Sequence, residues 1–151
     1  MKIYFAGSIR GGRQLRDTYM AMIDYLRHYG DVLTEHVDNS YLSALGESMS
    51  AREIHDRDIS WLLESDVVVA DVTVNSLGVG YELGRAVEQK KPILCLYNPE
   101  ENTSLSAMID GSPLIIVKKY QTVDEAKKCM ESFFNVIATP VDLGEAIKKV
   151  K

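Results

Sequence analysis

The chain has 151 residues, 46% of them hydrophobic and 26% charged, as expected of one domain with a single sizeable core. A net charge of −5 argues against a nucleic-acid polymer as partner, because such binding relies on many Lys and Arg contacts to phosphate. No apolar run has the length of a membrane span, "MKIYFAGS" is too short a start for a secretory signal, and the two cysteines form no CxxC pair. The expectation is a reduced, cytoplasmic protein with no membrane partner.

In chain order, the first apolar run is "KIYFA" (2–6), followed by the loop "GSIRGGR". Leu15, Tyr19, Met22, Ile23 and Leu26 then recur at helical spacing, and Gly30 closes the segment. A second strand-like run, "DVLT" (31–34), leads into "EHVDNSY". Ser50 and Glu53 of "SARE" match a capping box, which predicts a helix through "IHDRDISWLLES". Next comes "DVVVAD" (66–71), the loop "VTVNSLGVG", and a helix from about Gly78 to about Lys90, with Pro92 beyond it. "PILCLY" (92–97) and "LIIV" (114–117) are the last strand-like runs, separated by "NPEENTSLSAM". "TVDE" (122–125) repeats the capping-box signal before a helix predicted to end near Phe134. In the tail, "DLGEAIKKVK" places Leu143, Ala146, Ile147 and Val150 on one face of a further helix. Most of the strand-like runs lack polar alternation, which suits strands buried on both faces of a parallel sheet. Their alternation with helices predicts one doubly wound α/β domain of flavodoxin or Rossmann type, with five parallel strands. Ligands of such folds collect at the carboxyl ends of the strands, so the loops there are where function is sought.

Gly7 and Gly12 have P-loop spacing, but Arg13 and Gln14 stand where the phosphate-binding Lys and magnesium-binding Ser or Thr belong. This argues against nucleoside triphosphate hydrolysis; a cradle for one phosphate and a simple tight turn both stay open. Arg10, Arg13 and Arg16 lie within seven residues, a pattern that suits a small anion. In "SLGVGYELGRA" the glycines at 78, 80 and 84 miss the dinucleotide fingerprint, because Leu83 fills its last slot. Glu82 is expected in the first helical turn, at the flank of a stripe made by Val79, Leu83, Ala86 and Val87. The helix dipole would account for an acid there. It would not account for the glycines, which suit a ligand passing close to the backbone. Asp58 falls in the middle of the stripe formed by Ile54, Trp61 and Leu62, where a charge costs several kcal/mol unless paired or used. It is either a buried partner of an arginine or a working carboxylate. Two carboxylates in unlike surroundings can divide glycoside cleavage, one as nucleophile and one as proton donor. Tyr4 is core packing or a catalytic hydrogen-bond donor, Asp71 a loop cap, and His36 and His55 lack metal-ligand partners at useful spacing. Ser106 and Met108 carry no chemical signature of their own.

Taken together, "IYFAGSIRGGR", "LTEHV", "IHDRDISWL", "DVVVADVT", "SLGVGYELGRA" and "LSAMI" resemble the 2'-deoxynucleoside 5'-phosphate N-hydrolases of the nucleoside 2-deoxyribosyltransferase superfamily. The match runs from Ile3 to Ile109 and fades beyond Phe134, leaving 135–151 as an extension without an assigned role. The resemblance implies hydrolysis of the base–sugar bond of a deoxynucleoside monophosphate, with no cofactor and no metal. It implies Glu82 as nucleophile at C1', forming a glycosyl ester, and Asp58 as proton donor to the leaving base and helper of the incoming water. Tyr4 would hold the nucleophile's geometry. Gly7, Ser8, Ile9 and Arg10, with Ser76 and Gly78, would cradle the 5'-phosphate and pack on the sugar. The family's homodimer would bring Ser106 and Met108 into the neighbouring site. A 2-deoxyribosyltransferase, a ribonucleotide N-glycosidase acting on substrates such as cytidylate, and a nucleotide sensor without turnover are the alternatives.

Overall fold

The computed structural model describes residues 1–9, 15–35, 49–101 and 104–138. Five strands form one parallel sheet: β1 (Lys2–Ala6), β2 (Asp31–Leu33), β3 (Val67–Asp71), β4 (Ile93–Tyr97) and β5 (Ile116–Lys119). Their spatial order is β2-β1-β3-β4-β5, with Tyr4 opposite Leu33 on one side and Val68 on the other. The helices are α1 (Arg16–Leu26), α2 (Ala51–Glu64), α3 (Leu77–Glu88), the short α4 (Ala107–Asp110) and α5 (Val123–Ile137). This is the doubly wound architecture expected from the alternation of runs. Among the described residues no helix is long and apolar enough to cross a membrane.

Strand alternation sorts the core into two layers. Ile3, Phe5, Val67, Val69, Leu94 and Leu96 pack with Tyr19, Met22, Ile23 and Leu26 of α1 and with Ala126, Met130, Phe133 and Phe134 of α5. Tyr4, Ala6, Val68, Ala70, Ile93 and Cys95 face the other way, against Leu62 of α2 and Val79, Leu83 and Ala86 of α3. The parity of β1 therefore aims Tyr4 at the two helices that carry the candidate acids.

The predicted boundaries hold at most ends and fail at three. Gly30 does close the first helical segment: a Cβ there would stand 2.0 Å from the Met1 carbonyl oxygen, which accepts the Asp31 amide at 2.9 Å. Ser50 and Glu53 form the full capping box of α2. At α5, Thr122 accepts the Glu125 amide, but Glu125 reaches back to the Gln121 amide rather than to that of the cap. This helix runs to Ile137, past the predicted Phe134, because Val136 and Ile137 continue to pack on the core. The last strand lies two residues later than predicted. Residues 112–115 form a turn around Pro113, with the Ile115 amide directed at the Ser112 carbonyl, so Leu114 and Ile115 are apolar through core packing and not through strand pairing. The predicted tail helix lies beyond residue 138, outside the described residues.

Candidate active site

In a sheet ordered 2-1-3-4-5 the chain reverses direction across β1 and β3, and the loops leaving their carboxyl ends part to form a crevice. A cavity of about 460 Å³ occupies that position, lined by Gly7, Ser8 and Ile9 after β1, Glu35 after β2, Asn75 and Ser76 after β3, and Leu77, Gly78, Val79 and Glu82 on α3. Its size fits a small molecule with the dimensions of a nucleoside monophosphate. Ser76 is the N-cap of α3, its Oγ accepting the Val79 amide at 3.4 Å. The amides of Leu77 and Gly78 have no carbonyl four residues back inside the helix, and with the dipole they favour an anion at this end. A Cβ on Gly78 would meet only Ser76 Oγ, at 3.7 Å. No packing demand from the fold requires glycine there, and Gly78 lines the cavity.

Glu82 is the sixth residue of α3, hence in its second turn and not in the first as its spacing from the glycines suggested. The dipole explanation weakens accordingly, since that effect fades within one turn. A specific partner takes its place: the buried Tyr4 hydroxyl donates a 2.9 Å hydrogen bond to Glu82 Oε1. Burial pushes the Glu82 carboxyl up to about 7; the Tyr4 hydrogen bond pulls it back and the Asp58 charge pushes it further up. Burial, reinforced by the charges of Glu82 and Asp58, raises Tyr4 far above the ordinary phenol range.

Asp58 is buried on the inner face of α2, as the stripe predicted, with 7% of its surface exposed. Its Oδ1 accepts from Arg57 Nε at 2.8 Å and lies 2.7 Å from a terminal guanidinium nitrogen of the same residue. Asp58 is thus the buried partner of an arginine, and its charge also reaches Glu82. Arg57 stacks over Trp61, 4.8 Å from the ring centre, and extends to Glu35 Oε2 at 3.4 Å.

Glu35 also lines the cavity, although no sequence pattern marks it. It is a third acid, and burial pushes it up to about 7 with help from Asp58 and Glu82, against the pull of Arg57. Glu35 lies two residues past Leu33, which sits opposite Tyr4, and strand parity sends both toward the same face.

The remaining candidates divide. Gly7, Ser8, Ile9, Ser76 and Gly78 line the cavity. Arg10 and His36, together with Gly12 and Arg13, lie outside the described residues. Ser106 and Met108 do not line the Glu82 cavity; they border an adjoining groove of about 660 Å³ with Leu77, Val79, Gly80 and Leu83. Ser106 caps α4 through its Oγ, which accepts the Met108 amide at 3.3 Å. Asp71 is fully buried and fixes the loop after β3, accepting from Tyr120 Oη at 2.6 Å and from the Thr73 amide at 3.0 Å. Among the described residues no three His, Cys, Asp or Glu side chains are grouped to hold a metal ion.

The chain is 51% identical over 141 residues to the 5-hydroxymethyl-dUMP N-hydrolase of Danio rerio, an alignment that covers 91% of this chain and 98% of the relative. It is 50% identical over 140 residues to the 5-hydroxymethyl-dUMP N-hydrolase of Tetraodon nigroviridis, covering 89% of this chain and 98% of that one. The solved structure of the CMP N-glycosidase of Clostridium botulinum superposes with a TM-score of 0.63 at 22% identity, over 87% of this chain and 98% of the other, which supports the fold. The family model for nucleoside 2-deoxyribosyltransferases matches residues 3–138. By this match and by its relatives, the chain belongs to the nucleoside 2-deoxyribosyltransferase family.

Proposed function

We propose that this protein hydrolyses the N-glycosidic bond of 2'-deoxynucleoside 5'-monophosphates, releasing the base and 2-deoxyribose 5-phosphate. 5-Hydroxymethyl-dUMP, the compound in the names of its relatives, is the first substrate to test. The observation that carries the reading is the hydrogen bond from Tyr4 to Glu82, a residue lining a cavity that the N-terminus of α3 and the Gly7–Ile9 loop also line. With the 5'-phosphate seated at that helix N-terminus and loop, the sugar extends toward Glu82. Glu82 Oε attacks C1', the base departs with the bonding electron pair, and a glycosyl ester forms. Water then attacks C1' and frees the carboxylate. The transition state has oxocarbenium character, which a nearby carboxylate stabilises before it bonds and which a 2'-deoxy sugar reaches readily. Tyr4 fixes the rotamer of Glu82 and keeps more of it ionised. Asp58 and Glu35, gathered around Arg57, handle the protons of the two steps.

The site of a single chain is open beside Leu77, which lies between the cavity and the adjoining groove. We assign the cover to a second copy, in a homodimer whose Ser106 and Met108 complete the partner's site. Met108 is 83% exposed and Leu77 97%, as suits side chains that meet another molecule.

The test is a panel of ribo- and deoxyribonucleoside monophosphates and free nucleosides, scored for liberated base without any acceptor base. Deoxynucleoside monophosphates should be cleaved and phosphate-free nucleosides should bind much more weakly. Glu82→Ala should abolish base release while circular dichroism and melting stay near those of the parent chain. Full activity in that variant would remove the covalent mechanism, and turnover only with an acceptor base would make the protein a transferase.

A further inference from the structure

Asp71 closes β3 with none of its surface exposed, and a carboxylate so placed must be met by donors. Tyr120 Oη, just past β5, donates at 2.6 Å, the length of a charge-assisted bond. Thr73 gives its amide at 3.0 Å and its hydroxyl as well. Tyr19 Oη, from α1, donates more loosely, at 3.5 Å. Tyr19 stands on the apolar stripe of α1, edge-on to Phe5 with the ring centres 5.8 Å apart, so its hydroxyl has a fixed place. Burial and the Asp71 charge hold the Tyr19 phenol above its usual range, and a hydrogen bond from the Ser8 backbone pulls it back, as an N–H donor does. Thr73 Oγ1 likewise accepts the Asn98 amide, at 2.9 Å. Two arms of hydrogen bonds thus point at one carboxylate, from Ser8 through Tyr19 and from Asn98 through Thr73. A hydroxyl that gives its proton to a carboxylate turns its lone pairs to the amide behind it, so Asp71 sets the direction of both arms.

Both arms reach the walls of the Glu82 cavity. Ser8 belongs to the Gly7–Ile9 loop, and the chain from Thr73 runs on to Asn75 and Ser76 at the start of α3. Resting on the hydrolase reading above and its phosphate seat, we infer that Asp71 and Tyr19 are positioning residues for the 5'-phosphate. Asp71 is shut off from solvent and acts through Tyr19 and Thr73. These fix the loop after β1 and the loop after β3 against each other, and so set the gap that the phosphate enters. The charge of Asp71 is taken up by hydroxyl and amide donors, so an acid can brace an anion seat from behind. The tyrosine hydroxyl is the specific element: phenylalanine would fill the same stripe but leave the Ser8 amide without its acceptor. Tyr120 differs in this respect. It ties the same carboxylate to the end of β5, and its own amide binds the Tyr97 carbonyl at the end of β4 rather than a loop of the cavity.

The experiment measures kcat and KM on 5-hydroxymethyl-dUMP, and kcat/KM on the phosphate-free nucleoside 5-hydroxymethyl-2'-deoxyuridine, in Asp71→Asn, Tyr19→Phe and Tyr120→Phe. Asp71→Asn keeps the shape but puts a donating amide where acceptors are needed. It and Tyr19→Phe should each raise KM for the nucleotide roughly tenfold, the worth of one hydrogen bond to a charged group. The nucleotide kcat should stay near the parent's, because Tyr19 packs in one core layer and the Tyr4 that holds Glu82 in the other. On the nucleoside kcat/KM should hardly change, so the preference for the phosphorylated substrate falls. Tyr120→Phe should lower the melting temperature as Tyr19→Phe does and leave the nucleotide KM alone, which separates positioning from stability. If Asp71→Asn does not fold, the two tyrosine variants decide. An unchanged KM in Tyr19→Phe, an equal rise in Tyr120→Phe, equal losses of kcat/KM on both substrates, or a loss confined to kcat would each overturn the inference. A parent chain that cleaves nucleoside and nucleotide equally well would sink the phosphate seat itself, an outcome visible before any variant is made.

Discussion

As the proposed nucleophile Glu82 must be charged to react, yet its surroundings press it toward neutrality. Burial holds its carboxyl near 7 and the Asp58 charge adds to that, while the 2.9 Å bond from Tyr4 opposes both. Among the described residues, the charged and titratable groups facing it are Tyr4 from β1, Asp58 from α2 and Glu35 from the end of β2. The rate should rise with pH as Glu82 loses its proton. Removing the Tyr4 donor withdraws what stabilises the charged form, so Tyr4→Phe should move this acid limb of kcat/KM to higher pH. A hydrogen bond to a charged group is worth about 1.5–3 kcal/mol, which corresponds to a loss of roughly 10–100-fold near neutrality. Part of that loss should return at alkaline pH, and a pH–rate profile of the two proteins checks both points. A limb that stays in place would mean that Tyr4 only packs. At this scale the sequence was informative where a residue broke a pattern. Asp58 stood out as a charge on an apolar stripe, and Glu82 as an acid among glycines. Glu35 broke no pattern, because β2 is only three residues long and too short to display one. Its place at the cavity follows from the pairing of β2 with β1, which a single run cannot show. The sequence does not say which arginine pairs with Asp58, because adjacent helical residues ordinarily diverge; here the Arg57 guanidinium folds back across Trp61.

Helices carry the site because each begins and ends at a chemically defined place. The start of α2 rests on the Ser50–Glu53 box, with the Glu53 carboxylate 2.7 Å from the Ser50 amide. Ser50→Ala removes the hydroxyl that accepts the Glu53 amide, at a typical cost of ~1 kcal/mol. For a chain of this length that is about 2–4 °C in melting temperature. Asp58 lies further along the helix, past the turn that the cap secures, so kcat should be unchanged. A thermal melt paired with an activity assay separates the two; a fall in kcat without a fall in melting temperature would show that the cap also orients the acid. Cap residues are local, which is why both N-caps, Ser50 and Thr122, could be read from the sequence, although the reciprocal Glu bond forms only at Ser50. The displacement of β5 is the opposite case. Leu114 and Ile115 are as apolar as strand residues, and only the turn around Pro113 and the pairing of Leu94 with Ile116 assign them to the connection. Glycines divide in the same way. Gly30 is fixed by the Met1 carbonyl, and Gly78 faces the cavity. A Cβ on Gly84 would meet nothing within 4 Å, and nothing in the described residues explains that glycine.

At the scale of the molecule the question is whether Ser106 and Met108 serve the site of a neighbouring chain. In their own chain they border the groove beside the Glu82 cavity and do not enter the cavity itself. The two hollows share Asn75, Ser76, Leu77 and Val79, so a second molecule seated in one would wall the other. Symmetric dimers are the commonest closed assemblies, and in a two-fold contact what one chain lends it also receives. That reciprocity allows a test by mixing. Glu82→Ala spoils the nucleophile, and the double variant Ser106→Ala, Met108→Ala spoils the lent residues while sparing the bulk of the contact. If these residues act across the interface, a mixed dimer has one site with both defects and one site with neither. Random exchange of subunits between the two weakly active or inactive variants should then restore about a quarter of the parent activity. If Ser106 and Met108 act within their own chain, each site of the mixed dimer carries one defect and no activity returns. Size-exclusion chromatography of the parent chain must show a dimer for the mixing to be meaningful, and a monomer with full activity would refute the shared site outright.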